Sequence, residues 1–165
     1  MCKVIEDWAK ENKLPISAKS NIHVFGGEGK IFKTEDGGIT WKEKTYSYDG
    51  LISADFINEK IGFIVGGDYT NPADNSANKA FTSDGGETWE LRSNGSGPGY
   101  KSSVKYIPGS NGKGLVAVGG NGISYSSDAG ITWILLSEEN FHTIEFLNET
   151  TAYAAGNGKI AKLIF

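Results

Sequence analysis

One eight-residue pattern occurs three times in this chain, and it limits the possible fold more than any other feature. It runs Thr34-Glu35-Asp36-Gly37-Gly38-Ile39-Thr40-Trp41, then Thr82-Ser83-Asp84-Gly85-Gly86-Glu87-Thr88-Trp89, then Ser126-Ser127-Asp128-Ala129-Gly130-Ile131-Thr132-Trp133. A hydroxyl residue, Asp, Gly, Thr and Trp hold the same places each time. The steps from Asp36 to Asp84 and from Asp84 to Asp128 are 48 and 44 residues. Self-similarity at that period points to a stacked repeat architecture.

The residue types suit a hairpin corner. Asp36, Asp84 and Asp128 are expected to accept backbone N–H bonds two residues on, as Asx-turns. Gly38, Gly86 and Gly130 supply positive φ without steric cost. The hydroxyls of Thr40, Thr88 and Thr132 can bond across the turn. Trp41, Trp89 and Trp133 then open the next strand, burying a wide flat surface while the indole N–H reaches a backbone acceptor.

The segments before each pattern repeat too. Ile22-His23-Val24-Phe25-Gly26-Gly27, Gly62-Phe63-Ile64-Val65-Gly66-Gly67 and Leu115-Val116-Ala117-Val118-Gly119-Gly120 each lead to a second short apolar run. Ala152-Tyr153-Ala154-Ala155-Gly156 begins a fourth unit. Each repeat reads as strands A, B and C, the Asp hairpin, then strand D. Strand A falls at Ile52–Ile57, Val104–Ile107 and Thr143–Leu147, and in shortened form near Ile16–Ser20. The runs are short, rich in β-branched and aromatic residues, and bounded by Gly or Asn. The predicted class is all-β: four-stranded antiparallel propeller blades, about 3.5 of them, as a partial or half propeller. Residues 21–165 carry the repeats. Residues 1–20 form an N-terminal segment and candidate closing strand. Within it, Ile5–Lys10 reads either as a short helix or as part of an isolated D strand, since Trp8-Ala9-Lys10-Glu11 mirrors Trp41-Lys42-Glu43-Lys44. The strand is favoured because it gives all four Trp one structural position.

These residues resemble the Asp-box, or BNR, repeat of sialidases, sortilin-type receptors and xyloglucanase-type glycosidases. The longer stretch from Phe56 through Gly67 into the box at Thr82–Trp89 is most similar to the photosystem II assembly/stability factor-like propellers, which also occur in non-photosynthetic bacteria. Some of those carry an oxidoreductase label. The resemblance spans roughly residues 20–165. It implies the fold and an extracytoplasmic setting, although Met1–Ala9 lacks the apolar core of a secretory signal. It implies little about activity, because one fold hosts many.

The repeats amount to two full units, one shortened unit and a terminal half, about half the blades of the family's propellers. If each open end left ~400 Å² of apolar surface in water, the loss would be ~10 kcal/mol at ~25 cal/mol/Å². That rivals a domain's whole stability of ~5–15 kcal/mol. The ends are therefore expected to be covered. Either two chains close a ring as a homodimer, each N-terminal strand completing the other's last blade, or the sequence is a piece of a longer chain.

Catalysis finds little support. A sialidase resemblance implies three arginines around a carboxylate, and Arg92 is the single arginine. Other glycosidases need two suitably spaced carboxylates, which 20 Asp and Glu residues do not exclude. The repeated box aspartates are assigned to the turns. No cofactor is expected: Gly26-Gly27-Glu28-Gly29-Lys30 lacks the flanking residues of a phosphate loop, and no CxxC exists. Two histidines, His23 and His142, do not suggest a metal site. A net charge of −4 without a basic cluster argues against nucleic acid, and no stretch suits a membrane span.

A binding surface remains. The B–C and D–A loops should share the face opposite the boxes. The longest are Gly67–Lys79 and Ser93–Ser103. Asp68, Tyr69, Tyr100, Lys101 and His142 are the candidate ligand- or partner-binding residues, with Tyr48 at an equivalent place. The expected function is a non-catalytic, assembly-factor-like interaction module for a protein or polar ligand. The alternative is a carbohydrate-active protein, either a glycan binder or a glycosidase-related propeller.

Overall fold

The computed structural model describes residues 22–26, 30–34, 39–45 and 50–165. The N-terminal segment 1–20 with its candidate strands, the box residues Asp36 and Gly38, and Tyr48 lie outside them. Two four-stranded antiparallel sheets form the middle of the molecule. One comprises β4 (Leu51–Phe56), β5 (Gly62–Gly66), β6 (Lys79–Thr82) and β7 (Glu90–Leu91), paired in that order. The other comprises β8 (Ser103–Tyr106), β9 (Leu115–Gly119), β10 (Gly122–Ser126) and β11 (Ile134–Ser137). Before them come β1 (Ile22–Gly26), β2 (Lys30–Thr34) and β3 (Lys42–Thr45), and after them β12 (Thr143–Asn148), β13 (Thr151–Gly156) and β14 (Lys159–Ile164). Each of these flanking sheets has three strands among the described residues. The last unit is thus fuller than the expected half blade: its A, B and C strands are all present. The A strands begin and end within one residue of the predicted spans.

The second strand of each repeat explains the stacking. Side chains alternate between the two faces of a strand, and in β5 and β9 both faces are apolar. Phe63 and Val65 join Leu115 and Ala117 in the core between the two complete sheets, together with Val104 and Tyr106. Ile64 turns the other way, packing with Ile31, Leu51 and Ala80 towards the first sheet. Val116 and Val118 turn towards the last sheet and meet Ile144, Ala152 and Ala154. A continuous apolar run therefore marks a strand covered on both faces.

The inner strands β4, β8 and β12 lie side by side without pairing as a sheet. Side chains of β4 satisfy part of the backbone of β8: Val104 N–H donates to Ser53 Oγ at 3.2 Å and Tyr106 N–H to Asp55 Oδ2 at 2.8 Å.

The boxes close as hairpins, with a different bonding pattern from the one expected. The Asp84 carboxylate accepts from Thr88, four residues on, through N–H at 2.9 Å and Oγ1 at 2.6 Å. Asp128 accepts from Thr132 likewise at 2.8 and 2.6 Å. The leading hydroxyl makes the tight inner turn: Thr82 and Ser126 each donate to the Asp at 2.8 Å and accept the N–H of Gly86 or Gly130 at 2.9 Å. The loop is too wide for a two-residue Asx-turn, so the carboxylate bridges its mouth. Gly86 and Gly130 have φ of 81° and 82°, as the pattern requires. The Trp133 indole N–H donates to Gly130 O at 3.1 Å.

Candidate functional site

The two ends of the sheets are built differently. At one end the boxes lean on the A–B turns, with Gly85 N–H donating to Lys60 O and Ala129 N–H to Lys113 O, both at 2.8 Å. At the other end the loops Gly67–Asn78 and Ser93–Ser102 are bonded to each other. Tyr100 N–H donates to Pro72 O at 3.0 Å, Gly95 N–H to Asn75 O at 3.2 Å and Ala77 N–H to Asn94 Oδ1 at 2.8 Å. A Cβ on Gly99 would fall 2.0 Å from Pro72 O, so only glycine allows this approach. The long loops thus form one hydrogen-bonded platform.

Beneath the platform lie two buried lysines. Lys101 donates to Gly122 O at 2.7 Å and is fully buried. Lys79 donates to Pro98 O at 2.7 Å and to Asn78 Oδ1. Burial lowers both from the usual lysine range, Lys79 to about 8 and Lys101, with Lys79 as a further cause, to about 7. Lys101 departs from the expectation of a cation at the mouth. Its aliphatic stem fills the seam between the complete sheets and its ammonium braces the turn of the next one.

The other candidate residues lie at the loop end. Asp68 is exposed, and its carboxylate accepts Thr70 N–H at 2.7 Å and Thr70 Oγ1 at 2.6 Å. These bonds, the hydroxyl first, hold its pKa below the usual value. Tyr69 projects into solvent at 75% exposure. Tyr100 is half-buried beside Gly67 and Gly120. His142 is exposed, and its carbonyl accepts Ser102 Oγ at 3.0 Å. The described part of the structure brings Asp68, Tyr69, Tyr100 and His142 to one end without converging their side chains on a common point.

A cleft of ≈360 Å³ opens under the edge of the platform. Ala73, Gly97 and Pro98 form its loop wall, while Trp133 and Leu135 form the wall on the sheet side. Asn121 and Ser124 supply its polar atoms. Asn121 donates through Nδ2 to Pro72 O at 3.0 Å, whereas its Oδ1 is buried without a partner among the described residues. Ser124 is 2% exposed, and its hydroxyl likewise has no partner there. Buried polar atoms are usually satisfied, so this pair marks a place where a ligand gains more than it loses. Sequence reading missed Asn121 and Ser124 because each looks like an ordinary turn or strand residue. Only the loops from the neighbouring repeat make a cleft of them.

The inner strands carry a row of charge. Lys105 Nζ lies 2.7 Å from Glu145 Oε1 and 3.8 Å from Asp55 Oδ1. Burial raises the Asp55 pKa against the lowering effects of the Tyr106 N–H and Lys105. Arg92 is occupied elsewhere: its guanidinium stacks 4.2 Å from the Phe81 ring centroid and donates to Ala129 O at 3.1 Å. Among the described residues, no three His, Cys, Asp or Glu side chains group as metal ligands, and no helix is long and apolar enough to cross a membrane.

No protein-family model matches the chain, and no curated protein does either. Solved structures do match. A structure of YCF48 bound to a D1 peptide aligns over 91% of this chain with a TM-score of 0.61 at 19% identity. The fold is a partial β-propeller. The chain spans 51% of the length of that YCF48 structure. It also aligns over 84% of its own length with a quarter (25%) of the GH74 enzyme of Niastella koreensis, at a TM-score of 0.62 and 22% identity. An ancestral GH74 enzyme gives a TM-score of 0.56 at 17% identity, covering 82% of this chain and 21% of that one. Identities this low bear on the propeller architecture and leave activity open.

Proposed function

We propose that this propeller segment is a non-catalytic interaction module that binds an extended peptide of a protein partner on its loop end. The observation that carries the reading is the cleft beneath the loop platform. Asn121 Oδ1 can accept a peptide N–H, the Ser124 hydroxyl can donate to a peptide carbonyl, and Trp133 with Leu135 can hold an apolar side chain. Concave sites with a few fixed polar groups on apolar walls are the usual form of binding pockets. Support also comes from the YCF48 structure, which holds a D1 peptide.

The test is binding of the 165-residue chain to an array of extended peptides, with the D1 peptide as one member, compared with Ser124→Val and Leu135→Lys. Selective peptide binding weakened at least about tenfold by either change is the expected result. Absence of peptide binding, or binding untouched by both changes, sinks the reading.

A second reading is carbohydrate activity, and Asp55 with Glu145 is the observation that favours it. The two carboxylates flank one ammonium on adjacent inner strands, and Asp55 is the more readily protonated by its surroundings. A glycan array and a hydrolysis assay with Asp55→Asn and Glu145→Gln separate this reading from peptide binding.

A further inference from the structure

We infer that the outer edge of the last sheet is a strand-docking slot, and that a second copy of this chain fills it with the segment beginning at Trp8. The inference is independent of the loop-end reading above, because the slot lies along the sheet edge.

The slot is defined by comparison of the sheets. In both complete sheets the third strand carries a fourth: β6 carries β7, and β10 carries β11. The third strand of the last sheet, β14, pairs with β13 alone among the described residues. Beside its free edge runs an apolar groove of ≈660 Å³, lined by Ile107, Tyr125, Ile134, Leu136, Ile164 and Phe165. An exposed apolar edge of this kind templates pairing with another strand.

The repeat shows what belongs in the groove. In the preceding seam, Trp133 packs against the core containing Phe63, with Phe81 and Ile61 beside it. Tyr125 is the counterpart of Phe81, since each stands just before the leading hydroxyl of its box. Tyr125 now faces the groove. The missing occupant is therefore a tryptophan followed by a short strand.

The register can be read as well. The residue after Trp89, Glu90, is opposite Phe81, and Leu91 is opposite Ala80. The residue after Trp133, Ile134, is opposite Tyr125, and Leu135 is opposite Ser124. Counted back from the glycine or lysine that opens each third strand, the matching residues of β14 are Lys162 and Ala161. A segment led by Trp8 would place Ala9 opposite Lys162 and Lys10 opposite Ala161.

Trp8 is the one tryptophan with no box before it. Strand A starts ten residues after Trp41, at Leu51, and ten after Trp133, at Thr143. The same step from Trp8 reaches Ala18, just ahead of β1. A strand at Trp8 would thus belong to the sheet that precedes the first one. Within one chain the last sheet does not hold that position. The four sheets stack in chain order, and no core cluster among the described residues joins the last to the first. The outer face of the last sheet also remains apolar, with Tyr153, Ile160 and Ile164 exposed. A second copy covers both features: its first sheet lies on that face, and its Trp8 segment enters the slot. Two head-to-tail contacts then close a ring. Two chains of four sheets stay within the roughly four to eight blades of propellers.

The experiment is a cross-strand disulfide. In a Cys2→Ser background, Lys10→Cys and Ala161→Cys are combined in the full chain and oxidised. Directly opposed residues of antiparallel strands meet disulfide geometry. The expected result is a covalent dimer on a non-reducing gel, absent from either single variant, together with a dimer of the parent chain by light scattering. Trp8→Ala should weaken that dimer about 100-fold, the scale of a lost buried indole. A cross-linked monomer would place the segment in its own chain, and a ladder of higher oligomers would rule out the closed pair. Absence of any cross-link in a variant with native circular dichroism would remove the slot itself. Each of those three results overturns the proposal.

Discussion

The indole of Trp133 stands with its ring centroid 5.9 Å from that of Phe63, in the seam between the two complete sheets. One residue opens the outermost strand of its sheet, and the other lies in the second strand of the sheet before. The box that positions Trp133 therefore ties neighbouring sheets together as well as turning a hairpin. Trp133→Ala should cost about 3 kcal/mol through the lost contact and the cavity left behind. Urea unfolding measures it. A loss below about 1 kcal/mol would show that the seam holds without the indole.

The box aspartates should mark acid stability. In Asp84, burial raises the pKa, but bonds from Thr88 and Thr82 outweigh it and lower the value to about 2. A folded-state pKa below the ordinary 3.8 means stability that is present above pH 3.8 and lost as the pH falls through about 2. Asp84→Ala should cost about 1–2 kcal/mol at pH 7 for a largely exposed, charge-assisted pair of bonds. The difference from the parent should shrink towards pH 2. A pH series of chemical denaturation tests this, and a constant difference at all pH values would contradict it.

Lys101 and Lys79 predict the opposite end of the pH scale. Their folded pKa values, about 7 and about 8, lie below the ordinary 10.5. Between these limits the unfolded chain binds more protons than the folded one, so stability should rise as the pH climbs from 7 towards 10. Lys101→Met removes one of the two groups and should flatten that rise. Unfolding midpoints at pH 7 and 9.5 decide the matter, and an unchanged slope would show that Lys101 is solvated in solution.

Gly99 should control the loop platform. Its missing Cβ leaves room for Pro72 O, and an added methyl would stand 2.0 Å from that oxygen. Gly99→Ala should cost about 2 kcal/mol and loosen residues 67–78. Hydrogen exchange should show faster amide exchange in that loop than in β9. Equal protection in parent and variant would mean the loops are not braced through this contact.

The strands were legible because the signals are local. Alternating side chains make Phe63, Ile64 and Val65 serve two cores in turn, so an uninterrupted apolar run announced a strand covered on both faces. The box announced its own corner through Gly86, Gly130 and the threonines. It did not show which N–H groups the carboxylates would take, because the width of the loop decides that. Of the expected loop residues, Asp68, Tyr69, Tyr100 and His142 do lie at one end. Lys101 lies buried beneath it, since the oxygen it reaches belongs to Gly122 in the next repeat.

The repeated Asp boxes and the apolar runs were enough, by themselves, to determine an all-β chain of stacked blades with its loops divided between two ends. Propensity, periodicity and turn chemistry act over a few residues and can be read in order along the chain. The cleft around Asn121 and Ser124, the braces made by Lys79 and Lys101, and the free edge of β14 depend on contacts between repeats. Those are tertiary facts, because an unpaired oxygen or an uncovered strand is defined by what its neighbours in space do not supply.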